Sequence, residues 1–163
     1  KSINQPSQAI IEQFKGWQKI GLNGEKLAAD APHWAAAIDK KTQLMWAINP
    51  SKTANFPNPN KGMNWEDAVA WAKYVNTQGW CGFNDWRLPT IDELKTLFIK
   101  HRQPTLHLNE AIFNDTNKYY GVWSSSPVAS YSNYAWIVNF SLGLDYFSVK
   151  SNNYYVRLVR SSQ

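Results

Sequence analysis

The chain has little cysteine, little histidine and no long apolar run. Of its 163 residues, one is Cys and three are His. A lone Cys81 excludes an intrachain disulfide, a Cys-rich zinc site and a two-thiol redox motif. No stretch approaches the roughly 20 consecutive apolar residues that a membrane-spanning helix needs, so no membrane insertion is expected. Charge of one sign is scarce as well. Seventeen Lys and Arg against twelve Asp and Glu leave a net charge of +5, most of it in residues 1–63, which hold eight basic and four acidic residues. There is neither a dense basic stripe nor a nucleic-acid-binding motif, so no nucleic-acid partner is expected. Two readings of the charge stand side by side: a solvated surface slightly rich in Lys, or weak attraction to a polyanion such as a sulfated or acidic glycan. The chain starts at Lys1 without an apolar leader, which neither shows nor excludes a removed signal peptide.

Aromatic residues are plentiful, with nine Trp, eight Tyr and seven Phe. Together with 44% hydrophobic residues they mark a chain that folds, and its length suits one domain with a short appendage. Residues 6–14 can form a helix with Ser7 as its cap and Ile10, Ile11 and Phe14 on one side. Residues 16–33 have weak periodicity and read as an irregular arm, so residues 1–33 are set apart from a domain spanning 34–163. Residues 34–38 and 44–46 flank a polar turn and read as a β-hairpin. Residues 49–63 carry Pro50, Pro57, Pro59 and Gly62, the chemistry of a loop. A helix follows over about 64–78, capped by Asn64, with Glu66 and Asp67 in its first turn and Gly79 at its end. Thr90 and Glu93 form a capping box for a second helix, expected to run to about Lys100 with Leu94, Leu97 and Phe98 buried. Residues 120–124, 134–140, 145–150 and 154–160 read as a run of antiparallel strands with turns at 141–143 and 151–153. The order of elements defines an α+β single domain.

Specific letters then accumulate in order: Leu44-Met-Trp46, Asn64-Trp-Glu-Asp-Ala68, Gly82-Phe-Asn-Asp-Trp-Arg-Leu-Pro-Thr90 with Glu93-Leu94, Trp123-Ser-Ser-Ser126, Tyr134-Ala-Trp-Ile-Val-Asn-Phe140, Lys150 and Tyr155-Val-Arg-Leu-Val-Arg160. Over residues 34–160 this resembles the C-terminal domain family of the Legionella collagen-like protein. The resemblance implies a C-type-lectin-like fold, two helices with antiparallel sheets and long loops, related to the formylglycine-generating enzyme. It also implies a surface adhesin that engages polyanionic glycans and assembles as a trimer. Five tryptophans, Trp46, Trp65, Trp86, Trp123 and Trp136, fall at its signature positions and are expected in the core.

Each chemistry-bearing motif has a structural explanation beside it. Asp85 and Arg87 lie two apart in an extended segment, project to one face and can pair there, which makes the motif a fold signature. A calcium lectin needs several convergent oxygens, and Asn58-Pro59-Asn60 is a similar loop with no flanking Glu. The formylglycine-generating enzyme works through a pair of thiols, whereas Cys81 stands alone and reads as a small buried residue. His101 and His107 with Glu110 nearby lack fixed geometry for a metal, and His33 lies in the arm. No catalytic residue, no metal and no cofactor is expected. Arg157 and Arg160 can serve as structural ion pairs. Residues 116–155 crowd Tyr, Ser, Asn and Trp, a mixture suited to binding surfaces. Tyr134, Trp136, Val138 and Phe140 share one strand face and read as core, while residues 130–133 and 151–153 read as exposed turns. The candidate ligand-binding residues are therefore Lys118, Tyr119, Tyr131, Asn133, Lys150, Asn152 and Asn153.

The expectation is a non-enzymatic, extracytoplasmic binding or adhesion module for a glycan or acidic surface polymer. The alternative is an assembly module of a bacterial envelope or appendage system, with residues 1–33 as its docking arm. A formylglycine-generating-type enzyme ranks third.

Overall fold

The computed structural model describes residues 7–48, 50, 62–99, 107–115 and 121–163. A short helix α1 (Gln8–Gln13) leads into strands β1 (Trp17–Ile20), β2 (Ala36–Asp39) and β3 (Leu44–Ala47). Helices α2 (Trp65–Gln78) and α3 (Ile91–Lys95) follow, then β4 (Gly121–Val128), β5 (Tyr131–Asn139), β6 (Leu144–Val149) and β7 (Val159–Ser161). Two sheets result, one in the order β1-β2-β3-β7 and one in the order β4-β5-β6, every named pair antiparallel. The class is α+β with few helices.

The first sheet is buried on both faces. Successive side chains on a strand point to opposite sides. Ala36, Met45 and Ala47 accordingly join one apolar cluster with Ala68, Trp71, Ala72 and Val75 of α2. Ala37, Trp46 and Val159 join a second, with Leu94, Leu97, Leu108, Ile112 and Phe113. The second sheet feeds the same two clusters, Trp123, Ala135 and Ile137 into the first and Val122, Val138 and Phe140 into the second.

Residues 17–20, read from sequence as irregular, form strand β1 and pair with β2 from Trp17 opposite Asp39 to Ile20 opposite Ala36. Lys19 secures this segment. Only 3% exposed, its ammonium donates to the carbonyls of Ala29 and Ala31 at 2.6 and 2.8 Å. It also sits 3.6 Å from the ring centre of Phe14 and 3.9 Å from that of Trp34. Those contacts supply the partners that a buried cation requires.

α2 matches its expected bounds. The Asn64 side chain accepts from the Asp67 amide, and Gly79 ends the helix in the left-handed region at φ 64°. α3 has its capping box but stops at Lys95, short of the expected Lys100. Thr96 explains the stop, because its hydroxyl donates at 2.6 Å to the Glu93 carbonyl and competes with the backbone ladder. The final run of strands also differs from expectation. Residues 154–158 make only single bridges, Tyr154 to Met63 and Tyr155 to Val122, and β7 crosses to pair with β3 in the first sheet.

Candidate functional site

The sequence-predicted site residues scatter. Lys118 and Tyr119 lie outside the described residues. Tyr131 and Asn133, expected in a turn, belong to strand β5, because the β4–β5 connection is confined to Ala129 and Ser130, with Ser130 at φ 68°. The Asn133 carbonyl accepts from the Lys150 amide, and the Lys150 ammonium rests 4.1 Å from the centre of the Trp65 ring. Asn152 donates to the Ser148 hydroxyl, which also bonds to the Tyr154 hydroxyl. Asn153 is exposed in the turn. Asn133 alternates with Tyr134, so it belongs to the sheet face opposite that of Tyr134. Tyr131 alone among the described predicted residues joins a larger constellation.

That constellation corrects an expectation. Val138 and Phe140 are fully buried, but Tyr134 and Trp136 on the same strand face are only half-buried. α3 and its following turn cover one end of this face, where Phe98 packs edge-on against Phe140 and Lys95 pairs with Asp145 at 3.4 Å. The other end is open. There Phe147 of β6 lies directly opposite Trp136, and the rings meet edge to face at 5.3 Å. Phe147 meets Tyr134 at 5.7 Å, and Tyr134 meets Tyr131 at 5.7 Å. Four rings thus run in series, Trp136–Phe147–Tyr134–Tyr131, with Phe147 46% and Tyr131 56% exposed.

Edge-to-face geometry holds each ring by its neighbour, at about 0.5–1.5 kcal/mol per pair beyond burial. The ladder is therefore ordered without being covered. Beside it, the edge strand β6 exposes Leu144 and Tyr146, and the preceding turn exposes Leu142. Sequence reasoning missed Phe147. The signal was present in Leu144-Asp-Tyr-Phe147, where adjacent Tyr and Phe point to opposite faces and cannot both be core in an edge strand.

The other motifs are spoken for. Arg87 makes a two-point bond to Glu93 at 2.7 and 2.8 Å, and Asp85 a two-point bond to Arg160 at 2.6 and 3.2 Å. Asp85 and Arg87 thus pair with separate partners, not with each other as expected. Those arginines hold the carboxyls of Glu93 and Asp85 below their ordinary range, chiefly through these hydrogen bonds. Arg157, buried, binds Asp115 through two 3.0 Å bonds. Both Arg157 and Arg160 are the structural pairs expected of them. Cys81 is 2% exposed, and burial pushes its thiol up to about 12, so it stays protonated and weakly nucleophilic at neutral pH. No group of three or more His, Cys, Asp or Glu among the described residues could hold a metal ion. His33 is exposed, and the His107 ring lies against Gly143. Asn58-Pro59-Asn60 and His101 fall outside the described residues. No helix among the described residues is long and apolar enough to cross a membrane.

A doubly buried sheet, a half-open sheet and an exposed aromatic ladder define an α+β domain with a preformed binding surface. Residues 35–160 match the Lcl C-terminal domain, and the chain belongs to that family. No curated protein matches the chain significantly.

Proposed function

We propose that this domain is a non-enzymatic, extracytoplasmic binding module with a C-type-lectin-like fold, and that it recognises a glycan or related surface polymer. The supporting observation is the ladder Trp136–Phe147–Tyr134–Tyr131, whose rings are ordered by mutual contact yet open to solvent. Sugar rings present flat C–H faces that stack on aromatic rings, while the Tyr131 and Tyr134 hydroxyls offer polar handles. The net charge of +5 favours an acidic polymer. Membership of the Lcl C-terminal domain family supports a surface-associated setting. A thiol held near 12 supports a role without cysteine chemistry.

A glycan array probed at low and high salt tests this reading. The paired substitution Tyr131→Ala and Phe147→Ala should cut binding at least tenfold, and Lys118→Ala with Lys150→Ala should remove its salt dependence. Absence of glycan binding, or binding indifferent to the aromatic pair, overturns it.

A second reading, assembly with another envelope protein or with copies of itself, is favoured by the β6 edge, where Leu142, Leu144 and Tyr146 are exposed. An unpaired apolar edge is a ready template for strand addition. Native mass, measured with and without residues 1–33, separates the two readings.

A further inference from the structure

A second concavity of about 630 Å³ lies between α2 and the extended segment that precedes α3. That is within the roughly 300–1,000 Å³ typical of small-molecule sites. Its walls are apolar: Trp65, Val69 and Ala72 on α2 face Trp86 and Leu88 across the gap. Positions 65, 69, 72 and 76 recur at helical spacing, so one stripe of α2 lines the cleft from end to end.

Hydrogen bonds fix both ends. The Asn76 side chain donates to the Trp86 carbonyl at 2.8 Å and accepts from the Trp86 amide at 2.7 Å, which clamps the segment to the helix. The Trp65 indole donates to the Ser124 carbonyl at 2.9 Å, which ties the other end to β4. The gap between these pins is consequently preformed.

Charge at the rim is one-sided. Lys73 lines the cleft, is exposed, and makes no ion pair among the described residues. Its neighbours at i−4 and i−3, Val69 and Ala70, and at i+3 and i+4, Asn76 and Thr77, include no acid to neutralise it. Arg87 also lines the cleft, but Glu93 already holds its guanidinium. Lys150 adds positive charge over Trp65. An apolar slot with one free ammonium at its edge complements a ligand with an apolar body and a single anionic head.

We propose that this cleft binds an alkyl or aryl carboxylate, its body between Val69, Ala72 and Leu88 and its carboxylate on Lys73. The aromatic ladder plays no part in this site.

Calorimetric titration of the intact chain with decanoate, and separately with decyltrimethylammonium, both below their micelle concentrations, tests the assignment. Decanoate should bind at least tenfold more tightly than the cation. Lys73→Glu, an exposed helix substitution that leaves the fold intact, should weaken decanoate at least tenfold and strengthen the cation. Val69→Trp should abolish both by filling the slot, with near-ultraviolet circular dichroism reporting the fold. No heat from decanoate, equal affinity for the two head groups, or affinity unmoved by Lys73→Glu overturns the proposal.

Discussion

The two sheets are made of similar residues and treated differently by the rest of the chain. Between them, α2 and α3 with the segment around Phe113 enclose the β1-β2-β3-β7 sheet from both sides, and Trp46 there is 0% exposed. The β4-β5-β6 sheet carries as dense an aromatic content, but part of one face is left uncovered. Both Trp123 and Trp136 are strand tryptophans of this sheet at positions of the family signature. Trp123 is buried, with its indole donating to the Met63 carbonyl at 2.8 Å and its ring edge-on to Tyr154 at 4.9 Å. Trp136 rests against Phe147 at the open end. Strand pattern alone does not separate them. What separates them is whether another element crosses over the face, and α3 ends too early to do so.

The largest effect should come from the covered side. Trp123→Ala removes a fully buried indole and leaves the Met63 carbonyl without its donor. A cavity of that kind costs about 3–5 kcal/mol, and the lost bond adds to it. Urea denaturation should show a loss of about 4 kcal/mol. A loss below about 1 kcal/mol would mean that the two sheets are not packed through Trp123 as described.

A middle-sized effect lies in the ion pairs that tie the extended segment at 85–90 to its neighbours. Glu93 and Asp85 both titrate below their ordinary values of 4.5 and 3.8, held down by Arg87 and Arg160. A carboxyl with a depressed folded-state pKa gives stability that is complete above the unfolded value and is lost as pH falls through the folded one. Unfolding free energy should therefore fall on acidification below about pH 4.5, and Glu93→Gln should remove part of that slope. Because Arg87 and Asp85 are well exposed, each pair contributes on the order of 1 kcal/mol. An unchanged acid limb in Glu93→Gln would show that Arg87 does not hold this carboxylate in solution.

Much of this arrangement is legible in the sequence where local chemistry decides it. Asn64, Gly79, Thr90 and Glu93 announce the starts of α2 and α3 and the end of α2 because caps act within one turn. The β2–β3 hairpin is legible for the same reason. Strand β1 is not, because its hydrophobic contacts lie across the sheet and its buried residue is a lysine whose partners are ten and twelve positions away. The crossing of β7 to β3 is likewise set by long-range pairing. At the candidate site, the Tyr-rich composition pointed to the correct region. Assignment of faces failed because it assumed that an apolar stripe is a covered stripe. Asn133, Lys150 and Asn152 are occupied by Lys150, Trp65 and Ser148, contacts that spacing does not disclose.

The smallest stability effect separates the two sheets most sharply. Tyr131 and Phe147 are about half exposed, so truncating either removes one or two edge-to-face contacts and little buried area. Surface substitutions of this sort change stability by about 0.5 kcal/mol, roughly one-eighth of the cost expected at Trp123. If Tyr131→Ala or Phe147→Ala instead costs about 3 kcal/mol in urea denaturation, the ladder is core that happens to touch solvent, and the distinction between covered and open sheet collapses. If the cost stays small, packing does not account for four ordered rings on an uncovered strand face. Their exposure is then itself the feature to be explained, and a ligand or partner that stacks on them explains it.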